Sequence, residues 1–134
     1  FGGLKKSMPI YASIFLFTSF ASIGLPGLNG FVGEFMILMG SYPTFKVLTS
    51  VAAFGVVLAA IYMLWAYQRM FNGQLDNDEN SVLTDLNSKE LVAVGPLLAL
   101  MLFIGIYPSF IESYVVQDVS VIYESISNLL GASQ

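Results

Sequence analysis

The sequence predicts an all-α integral membrane protein. Hydrophobic residues make up 56% of the 134 residues and charged residues only 10%, against about 25% charged in ordinary globular proteins. The mean hydropathy is +0.75. Long uncharged stretches separate the few charges, and a helix needs about 20 apolar residues to cross a bilayer. A soluble domain of this size is excluded, because its surface would need many more polar side chains.

The residue types that the sequence lacks exclude several further classes of function. The chain has no cysteine and no histidine, which excludes a thiolate metal site and the commonest general base. Five basic against nine acidic residues give a net charge of -4, the wrong sign for nucleic-acid binding. The chain begins at Phe1 and has no signal-peptide pattern. We therefore expect it to be the C-terminal part of a longer membrane subunit.

The first predicted span, residues 8–40, contains a helix break in its middle. Its 33 residues are too many for one straight crossing and few for two. A proline breaks or kinks a helix because it lacks an amide hydrogen, and glycines lower helix propensity. Two interpretations stay open: a hairpin of two short spans, or one crossing by a helix broken in mid-membrane. The residues that support the break are Gly24, Pro26, Gly27, Asn29 and Gly30.

The distribution of basic residues favours the broken helix. With three spans in the chain, four of the five basic residues fall on one side and only Lys46 falls on the other. With four spans they divide three against two. Because basic residues concentrate on the cytoplasmic side, we predict three transmembrane helices, the first of them broken. The end of the chain near Lys5 is then cytoplasmic.

The later elements follow from the remaining uncharged stretches. Residues 47–70 and 91–111 are the second and third predicted spans, and they contain uncharged runs of 22 and 21 residues. In residues 112–134 apolar residues recur at spacings of three and four, which predicts an amphipathic helix on the outer membrane surface. A partly ordered tail is the alternative.

The loop between the last two spans, residues 72–90, is predicted to be cytoplasmic. It contains the acidic residues Asp76, Asp78 and Glu79. Their spacing is not that of a calcium loop, which needs six ligand positions and a terminal glutamate. We therefore expect a solvated acidic loop and no metal site.

Glu34 is the only acidic residue within a predicted span. A charged side chain at the bilayer centre costs about 2.5–3.5 kcal/mol on insertion scales, so such residues face protein or water and usually belong to a transport pathway. Ser19, Ser22 and Asn29 surround the break and are expected to hold water there. A broken helix beside an intramembrane acid is typical of transporter ion sites. A glutamate that only pairs with a basic residue of a neighbouring helix is the alternative.

The residues around the break resemble a known family. Gly24-Leu25-Pro26-Gly27 and Gly30-Phe31-Val32-Gly33-Glu34-Phe35 are similar to the last broken helix of chain M of proton-pumping NADH-quinone oxidoreductase (respiratory complex I), whose mitochondrial counterpart is chain 4. Residues 85–90, before the last span, and 105–108, at its end, agree with the resemblance. It weakens only after Glu112.

The resemblance implies a fold and a function. The chain would contribute the last three helices of an antiporter-like bundle, and Glu34 matches the proton-carrying glutamate of the family, where related chains have lysine. The implied function is proton translocation coupled to electron transfer from NADH to quinone. NADH, flavin, iron–sulfur clusters and quinone would bind to other subunits, and this chain would hold no cofactor.

The resemblance also implies partners and a location. The partners would be the lipid bilayer and the other membrane subunits of complex I, notably the neighbouring antiporter-like chains. The location would be a bacterial cell inner membrane, with the mitochondrial inner membrane as the alternative. Two other functions stay open: a subunit of a cation/proton antiporter or membrane-bound hydrogenase of the same superfamily, and a passive scaffold in which Glu34 is replaceable.

Overall fold

The computed structural model describes residues 2–74, 80 and 82–131. Within these residues the chain forms helices joined by turns, and no strand is present. The predicted all-α fold class is confirmed. The acidic loop residues at 76, 78 and 79 lie outside the described residues. The helices are α1 (Leu4–Ser7), α2 (Pro9–Ser22), α3 (Asn29–Ser41), α4 (Lys46–Phe71), α5 (Ser88–Ile106) and α6 (Ser109–Gly131).

Helices α4 and α5 are long and apolar enough to cross a membrane. Their most apolar stretches have mean hydropathies of 2.3 and 1.9. The 26 residues of α4 give a length of about 39 Å at 1.5 Å per residue. Helices α2 and α3 have 14 and 13 residues, so each is too short to cross a bilayer by itself.

Aromatic packing fixes the direction of the first helices. The first half of α2 packs against the end of α4, where the ring centroid of Phe71 is 5.9 Å from that of Tyr11 and 5.0 Å from that of Phe15. Phe71 is fully buried. At the opposite end, the short turn at residues 42–45 joins α3 to the start of α4. Helices α2 and α3 together therefore run antiparallel to α4. In a hairpin, the end of α4 would lie far from the start of α2, so the arrangement is that of one broken helix.

A side chain from the α4–α5 loop caps the start of α2. The amides of Ile10 and Tyr11 donate hydrogen bonds to the carboxylate of Asp85, at 2.7 and 3.0 Å, and the amide of Leu86 donates a third at 2.8 Å. Burial by itself would raise the pKa of Asp85, but these three hydrogen bonds outweigh it and hold that pKa below its ordinary value. Since Asp85 precedes α5 closely, α5 begins at the same end of the molecule as α2.

Helix α5 begins with a capping box. The side chain of Asn87 accepts hydrogen bonds from the amides of Lys89 and Glu90, and Glu90 accepts one from the amide of Asn87. This cap starts the helix at Ser88, before the uncharged run from which the third span is predicted. At the other end the chain leaves α5 at Ile106 and enters α6 at Ser109. The predicted membrane boundaries at residues 91–111 and 112–134 stay predictions.

Candidate functional site

Helix α2 ends in a backbone cap at the predicted break. Gly24 has a positive φ of 78°, which glycine adopts without strain. Its amide donates to the carbonyl of Ala21 at 3.3 Å, and the amide of Leu25 donates to the carbonyl of Phe20 at 3.0 Å. These two bonds form a Schellman motif, the usual glycine-containing helix end. Pro26 follows it and prevents the helix from continuing.

Helix α5 holds the next part of the break in place. Gly27 has a φ of 93°, and Leu28 is buried in extended backbone before α3. The backbone of Gly105 in α5 lies directly against the carbonyl of Gly27 and the Cα of Leu28. Any side chain at position 105 would overlap this backbone, so a glycine is required there. Small residues allow such close approach between membrane helices.

The two half-helices meet at Gly30. Its Cα lies so close to the carbonyl oxygen of Ala21 that an added methyl group would overlap that oxygen. The amino-terminal end of α3, which carries partial positive charge, therefore faces the carboxyl-terminal end of α2, which carries partial negative charge. All five residues predicted to support the break lie between the helices or in the first turn of α3.

Glu34 reaches back across this break. It lies in the second turn of α3, and its carboxylate lies against Gly24, where a methyl group would overlap it. The carboxylate lines a cavity of about 270 Å³. A water molecule takes about 30 Å³ in the liquid, so the cavity has room for several. The other residues that line it are Thr18, Ala21, Ser22, Asn29, Gly30 and Met101.

The polar groups of this cavity are hydroxyls and one amide. The hydroxyl of Thr18 donates to carbonyls of its own helix, and Ser22 is exposed. The Oδ1 atom of Asn29 is buried and has no hydrogen-bond partner among the residues that the structure describes, which is rare in folded proteins. No lysine or arginine is among the lining residues. The alternative in which Glu34 pairs with a basic side chain of this chain therefore has no support in the cavity.

The cavity is lined by two residues that the sequence did not predict, and one residue predicted to lie beside the break does not line it. Thr18 lines the cavity, one helical turn before Ser22, so helical periodicity could have found it. Ser19, expected to hold water, is buried and is not among the residues that line the cavity, and its hydroxyl donates to the carbonyl of Phe15 at 2.7 Å. Met101 comes from α5, and no local signal in the sequence indicates its contact with the break.

The described side chains offer no evident metal site. Within residues 2–74, 80 and 82–131, no three acidic side chains lie close enough together to hold a metal ion. The prediction that NADH, flavin, iron–sulfur clusters and quinone bind to other subunits stays a prediction. The chemistry available at the break is the uptake and release of a proton by one carboxylate.

Comparison with known proteins identifies similar membrane subunits. A family model described as "NADH:quinone oxidoreductase/Mrp antiporter, TM" matches residues 1–62. The chain is 40% identical over 134 residues to NADH-quinone oxidoreductase subunit M of Rhodobacter capsulatus, a match that covers 98% of the chain and 26% of that protein. It is 37% identical over 130 residues to subunit M of Rickettsia bellii, a match that covers 97% of the chain and 25% of that protein. It is 38% identical over 108 residues to subunit M of Mycobacterium tuberculosis, a match that covers 81% of the chain and 19% of that protein.

The broken helix and these matches define a class, the antiporter-like membrane subunits. Within that class the chain is homologous to subunit M of NADH-quinone oxidoreductase, and the resemblance seen in the sequence is confirmed. The chain spans about a quarter of the length of the curated relatives it matches.

Proposed function

We propose that the chain is part of a proton-translocating membrane subunit of an NADH-quinone oxidoreductase, which couples electron transfer from NADH to quinone with proton pumping. Homology to subunit M over 98% of the chain supports the assignment. The single observation that carries it is the carboxylate of Glu34, which lies against Gly24 and lines a cavity at the helix break.

Each part of the break has a role in this proposal. Glu34 takes up a proton as a carboxylate and releases it as a carboxylic acid. Because Gly24 has no side chain, the carboxylate of Glu34 has space to reach the end of α2. The hydroxyls of Thr18 and Ser22 and the amide of Asn29 offer hydrogen bonds to water in the cavity. Irregular backbone at membrane depth is stable where it lines such a cavity.

The redox chemistry belongs to other subunits in this proposal. A carboxylate, hydroxyls and an amide exchange protons but carry no electrons. NADH, flavin, iron–sulfur clusters and quinone then bind elsewhere in the complex, and electron transfer acts on this chain from a distance.

The surface supports lipid and other membrane subunits as partners. Large apolar side chains on α4 and α5 are strongly exposed, among them Val47 at 76%, Val92 at 73% and Ile106 at 71%. Such a surface needs lipid or protein to cover it. The relatives named above come from bacteria, which favours a bacterial inner membrane over the mitochondrial one.

Replacement of Glu34 tests the proposal. Glu34→Gln keeps the shape of the side chain but removes its titration, so the complex should assemble while proton uptake falls about tenfold or more. Glu34→Asp should leave partial activity. Ile37→Leu is the matched control, because Ile37 lies one turn along the same helix, is exposed and carries no proton.

The measurement is NADH-driven proton uptake in membrane vesicles, together with quinone reductase activity and native gels. An assembled Glu34→Gln complex that pumps at the wild-type rate would refute the role of Glu34 and favour the passive scaffold.

A cation/proton antiporter is the second candidate, because the matching family model covers both kinds of protein. The two candidates differ in their energy source. Proton uptake driven by NADH, and lost in a strain without this subunit, supports the oxidoreductase. Proton movement driven only by a sodium gradient supports the antiporter.

A further inference from the structure

A second cavity adjoins the one that contains Glu34. It lies between α3 and α6, and its volume is about 380 Å³. Apolar residues such as Val32, Met36 and Ile111 form most of its lining. Among the described residues that line it, two are polar, Asn29 and Glu112. Asn29 lines both cavities, so it lies between the carboxylate of Glu34 on one side and the cavity of Glu112 on the other.

The burial of Glu112 is unusual for its helix. Glu112 is half-buried, whereas Ile111 and Ser113 beside it are exposed. Glu124, a later acidic residue of α6, is exposed. An acidic side chain in the first turn of a helix is favourable wherever it points, so helix stability does not explain why Glu112 lines an apolar cavity. A carboxylate in apolar surroundings is costly, so the placement of Glu112 there calls for a reason other than helix stability.

Asn29 provides the connection between the cavities. Its buried Oδ1 atom has no hydrogen-bond partner within the described part of the chain, and buried water commonly satisfies such atoms. Because Asn29 lines both cavities, a water molecule bound to its side chain would lie at the boundary of the two cavities. It could then exchange hydrogen bonds with water on either side of Asn29.

We propose that Glu112 is a second proton-carrying carboxylate, which receives protons from Glu34 through water held at Asn29. The proposal rests on the proposed function of Glu34. In the transfer, the carboxylic acid of Glu34 gives its proton to water and becomes a carboxylate. Water at Asn29 passes a proton to the carboxylate of Glu112, which becomes a carboxylic acid. Glu112 then releases the proton to water on the outer side, and only protons have changed place.

The direction follows from the fold. Helix α3 runs from the break at Asn29 towards the turn at residues 42–45, at the end opposite to Lys5. The cavity of Glu112 extends along α3 to Met36, whereas the cavity of Glu34 extends back along α2 to Thr18. The cavity of Glu112 therefore extends further outward along α3 than the cavity of Glu34 does.

Matched substitutions on α6 test the inference in the assembled complex. Glu112→Gln is expected to lower NADH-driven proton uptake by membrane vesicles about tenfold, and Glu112→Asp to restore part of it. Glu124→Gln removes the same charge from the same helix and should pump at the wild-type rate. Asn29→Leu keeps the size of the side chain without a hydrogen-bonding group, so it should lower uptake with both glutamates present.

The outcomes separate this inference from the proposed function. Wild-type pumping by Glu112→Gln, in a complex where Glu34→Gln abolishes pumping, would overturn the inference alone. Wild-type pumping by both variants would overturn both proposals. If Glu112→Gln prevents assembly, Glu112→Met, whose side chain suits the apolar lining, decides: an assembled complex at the wild-type rate contradicts the inference, and a loss of pumping supports it.

Discussion

At the residue scale, the break depends on positions where a side chain has no room. Gly24, Gly30 and Gly105 each lie against other atoms that an added methyl group would overlap. At Gly33, by contrast, no atom of the described residues lies within 4 Å of the position of such a methyl group. Gly30 and Gly33 of α3 therefore differ in the space around them, although nothing in the sequence distinguishes the two glycines.

This difference predicts opposite effects for two similar substitutions. Gly30→Ala would push the start of α3 away from the carbonyl of Ala21, and overpacking of this kind costs about 1–3 kcal/mol. It should also displace Glu34 and lower proton uptake. Gly33→Ala should be neutral or stabilising by up to about 1 kcal/mol, since alanine favours the helix. Thermal stability of the purified complex and proton uptake measure both. Equal losses in the two variants would contradict the assigned role of Gly30.

Glu34 and the break could be predicted from the sequence because their signals are local. A lone acid in an apolar run and a Gly-Leu-Pro-Gly segment need no knowledge of the rest of the chain. The positions of Met101 and Gly105 could not be predicted in this way, since both contact residues more than 60 positions earlier. Such contacts follow from the packing of α5 against the break.

At the scale of elements, Asp85 ties the α4–α5 loop to the start of α2. Asp85→Ala removes the acceptor of the hydrogen bonds from Ile10 and Tyr11. We expect those two amides to exchange with deuterium faster, because the first turn of a helix lacks internal acceptors for its amides. Thr84→Ala, at the exposed neighbouring position, is the control. Unchanged exchange at both amides would contradict the cap.

The same cap predicts a pH dependence. The pKa of Asp85 is lower in the folded chain than its ordinary value, so its contribution to stability is complete above about 3.9, the usual pKa of aspartate. That contribution is lost as the pH falls through the lower folded value, where the carboxylate takes up a proton. Amide exchange at Ile10 and Tyr11, corrected for its intrinsic pH dependence, should therefore accelerate only below pH of about 4. Acceleration near neutral pH would contradict this assignment.

Helix ends show why element boundaries were harder to predict than element types. Runs of uncharged residues place a helix in the right part of the chain, but hydrogen bonds place its first residue. The capping box of Asn87 and Glu90 starts α5 at Ser88. This start precedes the charged residues Lys89 and Glu90, whereas the uncharged run that predicts the span begins only after them. An asparagine followed three residues later by glutamate is a local signal, so this start could have been found.

At the scale of the whole molecule, the broken helix makes the topology testable. The turn at residues 42–45 and the loop before α5 lie at opposite ends of α4. Cysteines introduced at Thr44 and Val82, both exposed in a chain that has no cysteine of its own, should react with an impermeant thiol reagent from opposite faces. The loop cysteine should react from the cytoplasmic face. Labelling of both from one face would contradict the crossing by α4. Labelling of the loop cysteine from the outer face would contradict the broken helix, because a hairpin in residues 8–40 reverses the two ends of α4.

The overall arrangement was predictable only in part. Charge distribution favours three crossings over four, but it rests on five basic residues. The packing of Phe15 against Tyr67 and Phe71 provides the stronger reason, because it brings the start of α2 to the end of α4. Aromatic residues 52 and 56 positions apart carry no signal of their contact in a single sequence.

The contact of Gly105 with the break limits how the bundle can move. A shift of α5 along its axis by one turn, about 5.4 Å, would bring Met101 or another side chain to the place where Gly105 now meets Leu28. That place has no room for a side chain, so α5 cannot slide along its axis by a full turn. It can still tilt about Gly105 as a pivot, and a small tilt there would change the width of both cavities beside Asn29 at once.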